Sequence, residues 1–425
     1  MILAALVWWF LASAAPADTF TRTITFAEPG EVVATIFAGC ARCSWAEAGR
    51  EAVALRVSVD GTYSQHILLA RGEPVADYTV TLGALSAGSH TITIERDPAL
   101  SASDAGPATI DDLGFKVVAR DLIDDWTAQS MAPILYARPN TVGRFTDLPI
   151  LMWYEIVATP RGRQFRYSVI FTNEDGGTAT DRLMATWGRT TDIEFVYGVE
   201  LNAAGAVVAE EFQGPGHEVP SFKGRHQDRH PLLFVSTDNN MVSESGSTAV
   251  RYAPAPERFD LTNVSREVVM DRHAWSYAIA AQEMRREGKI SDAAAAGSGR
   301  IPDPRRFVFV EACTDLENAA VVFAVRIGST WYDSDRGLRE FRVARTGCFR
   351  GAVPVPANAG APEAVRFRAY SLPPKDGQAP GPGTVRLTRV NRVFGVGDDD
   401  LPRLSTYSWS GSLDLPIDGD WQQPR

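Results

Sequence analysis

Ala54-Leu55-Arg56-Val57-Ser58-Val59-Asp60-Gly61 alternates apolar and polar side chains and then breaks at Asp-Gly. That pattern is a half-buried strand running into a tight turn. Gly88-Ser89-His90-Thr91-Ile92-Thr93-Ile94 repeats it, and Ile110-Asp111-Asp112-Leu113-Gly114-Phe115 closes the unit. Working outward, alternating runs fall at 21–26, 31–37, 52–59, 66–69, 77–82, 89–96 and 109–118. Short runs at intervals of roughly 10 to 15 residues, punctuated by Gly and Pro, predict an antiparallel β-sandwich over 18–119.

The pattern continues beyond this unit. Residues 120–260 read as a second, mostly antiparallel β domain with strands at 131–136, 148–155, 165–171, 192–201, 206–212 and 231–236. A single helix is expected over 262–287, with Val264, Val268, Trp275 and Ile279 near one face, Asn263 or Ser265 as cap and Gly288 as stop. The Ala- and Gly-rich stretch 291–299 reads as a flexible linker. Strands return at 307–313, 319–327, 340–345, 364–370 and 383–394, giving a third sandwich over 300–425. The fold class is mainly β: two or three antiparallel β-sandwich units with one longer helix between the second and third.

The chain has 425 residues, 45% of them hydrophobic, which is ample for two or three cores and excludes a disordered or disulfide-stapled miniprotein. Its formal charge of −10 gives no electrostatic footprint for nucleic acid. Basic charge is nearly all Arg, with Lys only at 116, 223, 289 and 375, the coding bias of a GC-rich bacterial genome. Residues 2–15 form an uncharged apolar run that ends in Ala15-Pro16-Ala17. The run reads as a secretory signal peptide spanning 1–17, being shorter than the about 20 residues a membrane span needs. A secreted or periplasmic chain starting near Asp18 is expected, with no transmembrane segment. The four cysteines fit an oxidising compartment: a small disulfide closing Cys40-x-x-Cys43, and a bridge between Cys313 and Cys348.

The densest polar constellation lies in the middle unit: Asn173, Glu174 and Asp175, then Asp192 and Glu194, then His217, Glu218, His226, Asp228 and His230, then Asp238, Asn239 and Asn240. Asp192 and Glu194 lie two apart on a strand, so their carboxylates share one face. Such a pair is costly unless solvated, metal-bound or sharing a proton, which makes Asp192, Glu194 and His217 the catalytic candidates. Asp333 and Asp335 sit in a loop of the kind that holds Ca²⁺ in extracellular sandwiches, or else in a solvated turn. No P-loop, Gly-x-Ser-x-Gly elbow or Gly-x-Gly-x-x-Gly follows a strand, so nucleotide cofactors and that kind of serine chemistry are disfavoured. Trp45, Trp331 and Tyr332 lie between strands, where sugar-stacking aromatics sit on sandwich loops, and are the ligand-binding candidates.

The Asp60-Gly61 strand end, the Gly88-x-His90-x-Ile92 strand and the Ile110-Asp111-x-Leu113-x-Phe115 strand resemble jelly-roll carbohydrate-binding modules of the galactose-binding-like type over about 100 residues. Ala132 to Pro139, Thr191-Asp192-Ile193-Glu194 and His230 to Val235 resemble, over about 110 residues, the vacuolar protein sorting-associated family, with Ile193 where that family has Trp. That family has no established activity to transfer. The first resemblance implies a polysaccharide or a cell-surface component as partner, bound without catalysis. The alternative is a metal- or carboxylate-dependent hydrolase or lyase acting on glycans from the middle unit.

Overall fold

The computed structural model describes residues 19–174, 176–373, 381–405 and 407–425. The apolar leader at 1–17 and Asp175 lie outside the described residues.

All seven strands expected in the first unit form: β1 (Thr19–Phe26), β2 (Gly30–Cys40), β3 (Ala54–Val59), β4 (Thr62–Leu68), β5 (Ala76–Leu85), β6 (Gly88–Arg96) and β7 (Ala108–Val118). They make two antiparallel sheets, ordered β1-β6-β3-β4 and β5-β2-β7. Inward side chains such as Val32, Ile36, Leu55, Val57, Ile92, Ile94 and Leu113 fill the space between them. The turn from β3 to β4 uses Asp60 at φ 50° and Gly61 at φ 77°, the left-handed pair of a type I′ hairpin. Asp60 also ties that turn to β6, accepting from the Thr91 amide at 2.8 Å and from His90 Nδ1 at 2.7 Å.

The middle unit contains β8 (Ile134–Tyr136), β9 (Pro149–Thr159), β10 (Gly162–Phe171), β11 (Asp192–Asn202), β12 (Val207–Phe212), β13 (His226–Gln227), β14 (His230–Val235), β15 (Val242–Ser243), β16 (Arg251–Tyr252) and β17 (Glu257–Arg258). One sheet runs β12-β11-β10-β9-β17 and the other β13-β14-β8-β16, with β15 on β14. Two pairings, β14 with β8 and β17 with β9, are parallel. Across from Tyr167 and Ser168, β11 bulges so that Val196 has no opposite residue. The bulge keeps Val196 on the same buried face as Tyr197, Val199 and Leu201, although strict alternation would separate them.

The third unit holds β18 (Phe307–Glu317), β19 (Ala319–Ile327), β20 (Thr330–Asp333), β21 (Gly347–Pro354), β22 (Ala364–Ser371), β23 (Thr384–Gly395) and β24 (Tyr407–Asp414). Its sheets are β21-β18-β23-β24 and β20-β19-β22, closed over Val310, Val321, Phe323, Phe349, Phe367 and Val390. The strand expected at 340–345 is instead a 3₁₀ turn at Arg339–Phe341, after which Val343 pairs alone with Val321.

Helices depart most from expectation. Two precede the expected one, α1 (Ile123–Ser130) and α2 (Thr180–Trp187), and the expected helix is broken into α3 (Val268–Arg272) and α4 (Trp275–Arg286). The chain bends at His273, at φ −112° and ψ 61°. The bend lets Asp271 and Tyr277 converge on the fully buried Arg350 of β21, whose Nη2 donates to Asp271 at 2.6 Å and Nη1 to the Tyr277 hydroxyl at 2.6 Å. Gly288, at φ 65°, ends α4 as expected: its amide reaches the Arg285 carbonyl while the Lys289 amide reaches that of Met284. The stretch 291–299 is pinned, with the Gly297 amide on Asp181 at 2.7 Å and the Ala294 carbonyl on Arg336 at 2.9 Å.

The three units interlock. The edge of β5 pairs with the middle unit through Thr81 to Ala253 at 2.9 Å and Ala255 to Thr79 at 3.1 Å. His230, buried, lies between the Ala132 carbonyl at 2.8 Å and Glu31 of the first sandwich at 3.3 Å. A separate core of Trp153, Ile170, Ile193, Met284, Phe307, Phe309 and Phe394 joins the middle sheet, α4 and the third sandwich.

Candidate functional site

Asp192 and Glu194 begin β11 opposite Phe171 and Val169, so both enter the open end of the space between the two middle sheets. Asp192 is buried; its Oδ2 accepts from Asn240 Nδ2 at 3.0 Å and its Oδ1 lies 3.7 Å from Arg189 Nη1. Glu194 accepts from Gln213 Nε2 at 2.5 Å, and that nitrogen lies 3.4 Å from Nδ1 of the exposed His217. Burial raises Asp192 above its ordinary value, opposed by Arg189 and the Asn240 bond. Burial and then the neighbouring Asp192 push Glu194 up to about 8, and the same two causes push Glu174 up to about 7. At neutral pH the cluster therefore holds a protonated Glu194 beside Asp192, whose charged form Arg189 and Asn240 favour against its burial. A donor and an acceptor set side by side this way are the raw material of acid–base chemistry. The three catalytic candidates are brought together, with Gln213 as the bridge.

A second constellation covers the outer face of the β20-β19-β22 sheet. On β22, Val365, Phe367 and Ala369 face the core, leaving Arg366, Arg368 and Tyr370 outside. On β20, Trp331 pairs with Arg326 on this outer face. The C-terminal tail adds to the same sheet, with Phe367 and Gln422 exchanging backbone bonds at 2.7 and 2.8 Å, and this positions Trp421. The Arg366 guanidinium is sandwiched, 4.1 Å from the Trp331 ring centre and 4.4 Å from that of Trp421. Arg342 stacks on Tyr370 at 3.5 Å and Arg368 on the same ring at 5.0 Å. The result is a row of half-exposed aromatics braced by arginines, each cation–π contact contributing about 0.5–1 kcal/mol at exposed sites.

Tyr332 does not join the row. It alternates to the opposite side of β20 and packs against the core of the third sandwich. Trp45 is fully buried: its Nε1 donates to Glu283 at 2.9 Å, its ring meets Phe145 edge-on at 6.1 Å, and Arg286 covers it at 4.8 Å. It seals the first sandwich onto α4 and presents nothing to a ligand. Asp333 and Asp335 do not converge on a cation; Asp333 lies 3.5 Å from Arg366 and Asp335 3.3 Å from Arg342. No group of three or more His, Cys, Asp and Glu among the described residues is arranged to hold a metal ion. Both expected disulfides are formed, Cys40 with Cys43 and Cys313 with Cys348. His226 is hydrogen-bonded to Glu210 at 2.8 Å, and His230 is a unit-joining contact, so neither serves the carboxylate cluster.

Sequence reasoning missed Gln213, Arg366 and Trp421 as site residues. The Arg-Phe-Arg-Ala-Tyr alternation at 366–370 was the available signal for the aromatic face, because its outward positions are all cations or rings. Gln213 carries no local signal, since its partners lie 19 residues before it and four after it in the chain.

Among the described residues no helix is long and apolar enough to cross a membrane. No protein family and no curated protein matches this chain, so the vacuolar-sorting resemblance finds no support. Among solved structures, a ruminal GH26 endo-β-1,4-mannanase aligns at a TM-score of 0.18 and 13% identity over 24% of this chain and 18% of the mannanase. A sugar-binding protein, the EclA C-terminal domain, aligns at a TM-score of 0.18 and 17% identity over 25% of this chain and 83% of that domain. The chain thus spans less than a fifth of the mannanase. At these TM-scores neither likeness bears on function.

Proposed function

We propose that this chain is an exported protein that binds polysaccharide, without catalysis, on the outer face of its third sandwich. The observation that carries the reading is the half-exposed stack of Trp331, Arg366 and Trp421. Neither tryptophan belongs to a hydrophobic core among the described residues, so their burial does not explain them. Half-exposed indole rings, each covered on one face by the guanidinium, offer their remaining apolar surface for a pyranose to stack on, and the arginine donors beside them suit sugar hydroxyls. The leader-like N-terminus and the two disulfides fit export.

The test is affinity electrophoresis of the full chain in gels containing soluble mannan, xylan, glucan or galactan. The expected result is retardation by at least one of these, lost in Trp421→Ala and Arg366→Ala while their melting temperatures stay near wild type. Retardation that survives both substitutions sinks the proposal.

A second reading is favoured by the protonated Glu194 beside Asp192: metal-independent hydrolysis or elimination on a glycan, with Glu194 as acid and Asp192 as carboxylate. Its test is the release of reducing ends from the same polysaccharides, which Glu194→Gln would abolish.

A further inference from the structure

An open cleft of about 100 Å³ lies where the first sandwich, the middle unit and α4 meet. Small-molecule sites occur preferentially at such junctions between structural units. Val80, Leu151 and Ile279 form part of its apolar floor. Around the mouth stand two prearranged pairs. Arg71 Nη1 donates to Asp77 Oδ1 at 2.8 Å and to the Asp77 carbonyl at 3.1 Å. His273 Nε2 bonds Glu257 at 3.0 Å. Trp275 stands between the pairs, half-buried, with Arg71 5.0 Å above its ring and the His273 ring 6.0 Å away at 71°.

We infer that this cleft is a second binding site and that its ligand is a short neutral saccharide. Arg71 is matched by Asp77, and His273 is hydrogen-bonded to Glu257, so no unmatched cation stands at the mouth to attract an anion. A purely apolar ligand would desolvate four polar side chains and return no hydrogen bonds to them, which costs binding free energy. A pyranose satisfies both demands, its apolar face against Trp275 and its hydroxyls to Arg71, Asp77, His273 and Glu257, each already held in place by its partner. Because the walls come from three parts of the chain, the occupied cleft resists their separation and stabilises the folded state. The inference does not depend on the aromatic face of the third sandwich.

The experiment is calorimetric titration of the full chain with neutral oligosaccharides of two to five units from manno-, xylo-, cello- and malto- series, followed by melting in their presence. The expected result is one-to-one binding of at least one series and a raised melting temperature. Arg71→Ala and Glu257→Gln should each weaken that binding by about tenfold or more, a loss of about 1.4 kcal/mol, while melting near wild type without ligand. Trp331→Ala and Trp421→Ala should leave it unchanged. Binding unaffected by Arg71→Ala and Glu257→Gln, or no binding by any series, overturns the inference. Loss only in the Trp331 and Trp421 variants also overturns it, and leaves the third-sandwich reading standing.

Discussion

Glu194 keeps its proton because it is withdrawn from water and faces the carboxylate of Asp192. Glu283 does the same without such a neighbour as Asp192: it is fully buried beneath Trp45, and burial pushes it up to about 8 against the opposing pull of Arg286. With Glu174 at about 7, three carboxyls titrate above the ordinary value of 4.5 that they regain on unfolding. Between those limits the folded chain binds more protons than the unfolded chain, so the stability they contribute is full below about pH 4.5 and is lost as pH rises through 7 to 8. The melting temperature should therefore fall from pH 5 to pH 8.5, and Glu283→Gln or Glu194→Gln should each flatten that fall. A wild-type melting temperature that rises over the same interval contradicts this assignment. At this scale the sequence was a fair guide to polar groups and a poor one to aromatics. Asp192 and Glu194 share a face because they sit two apart, which any reader of the strand can see. Trp45 looked like a loop aromatic, and partners far along the chain, Phe145, Glu283 and Arg286, explain its burial.

β21 was invisible as a strand because its centre carries Arg350 and Gly351, which break the apolar run. Both are there for packing between elements. Arg350 is fully buried and donates to Glu311 at 2.5 Å and to Asp271 at 2.6 Å, joining β18 to α3. Arg350→Met should cost about 3–5 kcal/mol in urea unfolding, since it leaves the buried Glu311 without its cation, although Asp271 keeps Arg392. Gly351 leaves no room for a side chain: a Cβ there would lie 2.6 Å from the Phe323 ring and 2.7 Å from the Ala185 carbonyl of α2. Gly351→Ala should cost about 1–3 kcal/mol by overpacking; a loss below about 0.5 kcal/mol, the usual range for surface substitutions, would show that α2 gives way freely. The break between α3 and α4 was hidden for a related reason. Residues 262–287 carry helical periodicity throughout, and the bend at His273 is set by Asp271 and Tyr277 turning together toward Arg350.

Over the whole molecule, the alternation that defines three sandwiches was plain, because each sheet has one face in a core and one outside it. Their arrangement was not, since it rests on contacts between residues far apart: Glu31 with His230, Thr81 with Ala253, Trp45 with Glu283. These ties should make the first and middle units melt together in calorimetry, and two well-separated transitions would argue against them. The Cys313–Cys348 bridge closes a separation of 35 residues between paired strands β18 and β21. Replacing both by Ser should lower stability by about 3 kcal/mol, read as a drop of several degrees in melting temperature.

The proposal that this protein binds polysaccharide and does not cleave it is tested most directly by one assay. Wild-type chain is incubated with each soluble polysaccharide, and bound protein and newly released reducing ends are measured in the same sample. Retention on at least one polysaccharide with no reducing ends above the protein-free control is the expected result. Release of reducing ends that disappears in Glu194→Gln would contradict it and transfer the function to the carboxylate cluster of the middle unit.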